Sequence, residues 1–219
     1  KTGSLLLGMA TLKLGRFRQQ LRGHFEQALT PGRGLRGTLF LAALLHDCGK
    51  PAARSVDSRG DLHFYGHDQT GAEIARARAR ALALSNDEIE RIVVLIRHHM
   101  APHFMAAEGK PASPRAIYRL FRETGEAGVE LCLLALADTL ATYGVTIDPA
   151  RWERELDICR QLLEAWFDRR QQLIDPPRLV NGDDLMQHFQ LESGPLVGKI
   201  LEAVRENQAA GAVKDIPQA

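Results

Sequence analysis

A histidine and an aspartate side by side, His46-Asp47, close an apolar run from Leu39 to Leu45 and are followed at once by Cys48-Gly49-Lys50-Pro51. The apolar residues draw this segment into a core, and Gly-Lys-Pro reads as a helix stop. An imidazole and a carboxylate are thereby carried to the inner end of a buried helix, where an unpaired carboxylate is costly. A divalent cation removes that cost and also activates a water. Any fold for this chain has to accommodate that polar end.

The rest of the chain is helical in texture. At 219 residues and 45% hydrophobic content it can bury a substantial core. Leu, Ala, Arg and Glu abound while aromatics are few, which favours helices. The spacing of apolar residues predicts helices over 4–29, 35–48, 68–84, 126–143 and 149–174. Ser85 with Glu88 three residues on is a capping box that opens a helix to about Met100, which Pro102 ends. Ser113-Pro114 starts another. Residues 51–66 break the pattern around an Asp/Ser/Gly turn and suggest a tight hairpin. Asp175-Pro176-Pro177 reads as a linker, giving a helical domain over 1–175 and a small helical segment over 176–219, with Asn181 capping a short helix and Gly194-Pro195 opening the last.

Composition narrows the setting. The net charge of +1 does not announce a nucleic-acid binder. Cys48, Cys132 and Cys159 are odd in number and widely spaced, as expected of reduced thiols in a cytoplasmic protein. The sequence shows no signal peptide and no evident membrane span, so a soluble, non-membrane protein is expected. It starts at Lys1 and not at Met, so the sequence leaves the true N-terminus open.

Six of the eight histidines fall between His46 and His103. His67 follows Gly66 at a helix start, and His98 and His99 end the run Ile92-Val93-Val94-Leu95-Ile96. Asp138 interrupts the most apolar stretch, Leu131 to Leu140, and an ionised carboxylate there must be paired, hydrogen-bonded or on a metal. Other polar residues have plainer readings. Arg76, Arg78 and Arg80 spread around a solvated helix. His63 and His103 read as surface or outer residues, His188 as exposed, Phe64-Tyr65 as packing, and Trp152 and Trp166 as core.

Together these stretches resemble the HD superfamily of metal-dependent phosphohydrolases. More narrowly they resemble the HD and C-terminal region of bacterial tRNA nucleotidyltransferases and poly(A) polymerases, whose nucleotidyltransferase head has no counterpart in these residues. The matching segments are Leu41 to Pro51, Gly66 to Glu73, Leu95 to Met100, Leu134 to Asp138, Leu179 to Leu185 and Gly194 to Ile200.

The resemblance implies an all-α HD-domain bundle. It implies a divalent metal (Mn, Fe, Ni, Co, Zn or Mg) on His46, Asp47 and Asp138, with His67, His98 and His99 as further ligands. It makes His46, Asp47, Lys50 and His67 the catalytic group, with Lys50 and Arg97 on the substrate phosphate. The implied reaction is hydrolysis of a phosphomonoester or cyclic phosphodiester of a nucleotide or RNA end. The rival reading is a non-catalytic RNA-binding body, with tRNA as partner and a vestigial HD site, and a nucleotide-sensing regulator is a third. The chain departs from the family at its first histidine, which would fall near Lys1-Thr2-Gly3-Ser4. His24, upstream among polar neighbours, reads as a solvent-facing helix residue.

Overall fold

The computed structural model describes residues 2–215, and of Thr2 the backbone alone; the expectations placed on Lys1 and on 216–219 lie outside the described residues. The architecture is an all-α bundle with two minimal antiparallel ribbons. Helix α1 (Thr2–Leu14) leads through a tight turn at Gly15–Phe17 into α2 (Arg18–Phe25), and the ribbon β1 (Ala28–Thr30) and β2 (Arg33–Gly34) delivers the chain to α3 (Leu35–Leu45). A one-turn helix α4 (Lys50–Ala53) and the ribbon β3 (Ser55–Val56) and β4 (Leu62–His63) precede α5 (His67–Ala81). Helices α6 (Asn86–His98), α7 (Ala101–Ala107), α8 (Pro114–Thr124), α9 (Ala127–Tyr143) and α10 (Pro149–Phe167) complete the bundle. Short α11 (Arg170–Leu173), α12 (Gly182–Phe189) and α13 (Pro195–Ala209) follow.

Local chemistry explains most boundaries. At α6 the Ser85 hydroxyl accepts from the Glu88 amide while the Glu88 carboxylate accepts from the Ser85 amide, so the capping box is complete. At α8 the Ser113 hydroxyl accepts from the Ala116 amide, a one-way cap, with Pro114 in the first turn. Gly66, in the left-handed region at φ 73°, turns the chain into α5. Two sequence expectations give way. The single helix over 4–29 breaks at Gly15–Phe17, where burial of Phe17 in the core outweighs continuity. Pro102 does not stop the chain. It sits in the first turn of α7, where its missing N–H is one that no helix uses, and the backbone passes from α6 to α7 through His99 and Met100 in helical conformation.

The core forms where α5 packs along α6 and where α9 and α10 meet. Small residues Ala72, Ala75 and Ala79 on α5 allow close approach to the buried Ile89, Ile92, Val93 and Ile96 face of α6. Leu131, Leu156, Leu162, Leu163 and Trp152 are sealed inside, and each large side chain contributes about 1.5–3 kcal/mol. The Trp152 indole N–H donates to the Leu6 carbonyl at 3.0 Å, tying α1 to α10. The stretch Ala127–Thr146 is long and apolar enough by composition to cross a membrane, contrary to the sequence expectation. Here it is a core helix, half buried, that carries a fully buried acid.

That acid is Glu130. The His24 Nε2 lies 3.0 Å from its Oε1 and the Arg91 guanidinium 3.3 Å away, so α2, α6 and α9 are joined through one buried carboxylate. His24 is therefore an interior residue, not the solvent-facing one its polar neighbours suggest. The last helix, α13, docks on α8 through ion pairs: Tyr118 donates to Glu202 at 2.9 Å, Arg122 pairs with Glu202, and Arg115 and Arg119 converge on Glu206.

Two substitutions test this frame. Arg91→Ala leaves Glu130 buried with one partner fewer and is expected to cost about 3 kcal/mol, read as a lowered urea midpoint at unchanged slope. Gly49→Ala places a methyl 2.1 Å from the His67 carbonyl oxygen and 2.5 Å from the Gly71 amide nitrogen, both backbone atoms that have to move. It is expected to destabilise by about 1–3 kcal/mol in the same assay.

Candidate metal centre

Four segments deliver polar side chains to one point of the bundle. His46 caps the C-terminus of α3 and Asp47 follows it in the turn closed by the Cys48 and Lys50 amides. His67 opens α5, His99 ends α6, and Asp138 comes from the middle of α9. The turn after Asp47 reaches α5 because Gly49 presents no side chain to the His67 and Gly71 backbone.

Three imidazoles are held in one way. The Nδ1 of His46 faces the Ala43 carbonyl at 2.8 Å, that of His67 the Phe64 carbonyl at 2.8 Å, and that of His99 the Ile96 carbonyl at 2.6 Å. Each partner lies three residues upstream. A carbonyl accepts only, so Nδ1 carries the proton and the neutral ring directs an Nε2 lone pair inward. The consequence is a centre rich in acceptors. His67 Nε2 and His99 Nε2 stand 3.1 Å apart, with Asp47 Oδ1 at 3.6 and 3.8 Å from them. His46 Nε2 lies 3.4 Å from Asp47 Oδ2 and 3.4 Å from Asp138 Oδ1. Neither His46 Nε2 nor Asp47 Oδ1 has a hydrogen-bond partner, although both are buried.

Lone pairs and carboxylates at such separations repel unless a cation stands among them. With metal–nitrogen bonds of about 2.0–2.1 Å, adjacent ligand atoms lie roughly 3.0–3.4 Å apart, close to the spacings here. Asp47, His67 and His99 form the tightest such group among the described residues. A mixed imidazole and carboxylate set suits a borderline to hard divalent ion, and the residues present fit one.

Charge around the centre is uneven. The Lys50 ammonium donates to Asp47 Oδ2 at 2.6 Å and lies over the Phe64 ring, half exposed at the mouth. Contact with Asp138 raises the His46 pKa against the opposing effect of burial. Burial pushes His99 down, helped by the neighbouring His46 and His67 rings. The Asp138 carboxyl is held far below the ordinary carboxylate range, first by His103 and then by His46. Among the described residues no arginine pairs with Asp138.

The remaining candidates go elsewhere. His98 turns its Nδ1 to Glu123 at 3.4 Å, and burial lowers its pKa. Arg97 pairs with Glu73 at 3.3 Å on the surface. Neither is directed at the cluster, because adjacent residues on a helix point about 100° apart and His99 takes the inward direction. Conversely, His103 is no surface residue. Its Nε2 lies 3.4 Å from Asp138 Oδ2, and its Nδ1 lies 3.0 Å from the buried Glu155. Burial favours the neutral His103 ring, but the two carboxylates outweigh it and lift its pKa to about 9. The signal for it was present: His99 and His103 are four apart, the spacing that puts two imidazoles on one helical face.

Comparison with known proteins agrees with this geometry. The HD domain matches residues 15–143. The chain is 36% identical over 180 residues to the CC-adding tRNA nucleotidyltransferase of Thermus thermophilus, covering 79% of this chain and 36% of that protein. It is 32% identical over 174 residues to the A-adding tRNA nucleotidyltransferase of Deinococcus radiodurans, covering 78% and 38%. A bifunctional uridylyltransferase/uridylyl-removing enzyme of Phenylobacterium zucineum is 30% identical over 119 residues, 53% of this chain and 11% of that one. The chain thus spans little more than a third of the length of the two tRNA nucleotidyltransferases it matches. By its His-Asp pair, its helical frame and this match, the chain belongs to the HD-domain family.

Proposed function

We propose that this chain is a cytoplasmic, metal-dependent phosphohydrolase of the HD type, acting on a phosphomonoester or cyclic phosphodiester of a nucleotide or RNA end. One observation carries the reading: where the imidazoles and carboxylates converge, the buried His46 Nε2, His103 Nε2 and Asp47 Oδ1 have no hydrogen-bond partner, while Lys50 holds the other oxygen of Asp47. His46, Asp47, His67, His99 and Asp138 hold the ion. A bound divalent cation supplies Lewis acidity toward a phosphoryl oxygen and lowers the pKa of a coordinated water.

The protein supplies position and charge. The three backbone-anchored rings keep their Nε2 atoms aimed inward without substrate. Lys50 is near enough to leave Asp47 for a phosphoryl oxygen and neutralise it. His98 and Arg97, facing Glu123 and Glu73, have no part in this assignment. The reading places the catalytic domain in residues 1–175 and a helical appendage after the Asp175–Pro177 linker.

A second reading is favoured by the names of two relatives, both tRNA nucleotidyltransferases. In it this region is the RNA-gripping body of a larger protein and its centre does not turn over.

Assays separate the two. With Mn, Ni or Co, hydrolysis of p-nitrophenyl phosphate esters and 2′,3′-cyclic nucleotides is expected and chelation is expected to abolish it. Asp47→Ala and His67→Ala should fall to background, while Lys50→Ala should lower kcat/KM by about 10²–10³. No bound metal and no turnover, with a tRNA mobility shift that fades with salt, would instead establish the second reading.

A further inference from the structure

We propose that the pocket between α8, α13 and the chain around Asp175–Pro177 binds a small phosphate dianion, either inorganic phosphate or the terminal group of a small phosphomonoester. The bound anion clamps the C-terminal helices to the bundle. The pocket has a volume of about 240 Å³ and shares no lining residue with the His-Asp cluster. Three guanidinium groups line it, each from a different segment: Arg122 from α8, Arg178 from the chain after Pro177, and Arg205 from α13.

Charge there is unbalanced. Arg205 is half-buried, and among the described residues neither it nor Arg178 pairs with a carboxylate. The Nε of Arg122 serves both oxygens of Glu202, at 2.9 and 3.0 Å, a pairing that spends one N–H of a group with several. The carboxylate in the lining, Asp175, is held by Arg170 at 2.7 Å. A partly desolvated guanidinium without a counter-charge is unfavourable, and an anion seated among all three removes that cost.

Size and chemistry select the anion. Guanidinium forks match phosphate oxygens with paired N–H donors. A phosphomonoester carries close to two negative charges near neutral pH, which answers the two guanidinium groups left without partners. Ile174 and Pro176 add an apolar wall, and the volume falls below the roughly 300–1,000 Å³ of drug-sized ligand sites, so the fit is to a phosphate with at most a small organic group. The arginines are also held in place without the anion. Gln208, one turn from Arg205 on α13, donates its amide N–H to the Pro177 carbonyl at 2.8 Å, which pins the residue before Arg178 to the same helix. The buried Tyr118 hydroxyl, donating to Glu202 at 2.9 Å, joins α8 to α13 beneath them.

The inference does not depend on hydrolysis, and neither does its test. The full chain is titrated calorimetrically with sodium phosphate and with glycerol phosphate in EDTA, which strips divalent ions from the HD centre. One phosphate per chain is expected, with Lys50→Ala binding as the wild type does. Arg178→Gln and Arg205→Gln are each expected to weaken binding by about tenfold or more, and the double variant to abolish it. Phosphate should slow tryptic cleavage after Arg178 in the wild type and not in Arg205→Gln. Because Arg205→Gln deletes an uncompensated charge, it should be no less stable than the wild type in phosphate-free buffer. Absence of binding by the wild type, or wild-type affinity in the folded double variant, would overturn the inference. So would binding lost in Lys50→Ala, cleavage indifferent to phosphate, or a site that takes an RNA oligonucleotide while phosphate is inert. None of these outcomes bears on the phosphohydrolase reading, which is tested by metal-dependent turnover.

Discussion

The centre of this bundle is a place where acceptors meet acceptors. Three rings donate their Nδ1–H groups to backbone carbonyls and turn Nε2 toward two carboxylates. Each buried polar atom left without a partner costs about 1–3 kcal/mol. The fold tolerates that cost because the helices delivering those residues are fastened elsewhere, by the sealed Leu131, Leu156, Leu162 and Trp152 layer and by Glu130 joining α2, α6 and α9. Stability sits in the apolar layer, and the unsatisfied polar atoms sit at the His-Asp cluster.

Much of this was legible in the chain. The His46-Asp47 pair before Gly-Lys-Pro, the Ser85 cap, the small hairpin and the lone acid in the α9 run all follow from local rules, because each signal lies within a few residues. What stayed hidden depends on partners far along the chain. His24 sits among polar neighbours and looks exposed, but its partner Glu130 is 106 residues away. His103 was masked by Pro102, read as a stop when the chain in fact turns through it into α7. Of the adjacent His98 and His99, periodicity says that one faces inward without saying which.

The C-terminal helices are attached by different physics. Their polar contacts with α8 are ion pairs between partly exposed side chains, Arg122 to Glu202 and Arg115 and Arg119 to Glu206, with the buried Tyr118 contributing a phenol hydroxyl, and α13 adds only the small apolar burial of Val197, Val204 and Ala209. Such pairs contribute little individually and are screened by salt, so this docking is softer than the α5–α6 and α9–α10 seams. A region held in this manner can shift against the HD bundle while the bundle stays whole.

The anchoring of each ring to a carbonyl three residues upstream carries a kinetic corollary. Because side-chain directions are dictated within single helical turns, emptying the centre should leave its donors standing where they were, and filling it demands no refolding. Ions can then trade places at rates set by water loss and entry. The identity of an ion held there would follow supply, donor chemistry and the geometry that the fixed rings impose.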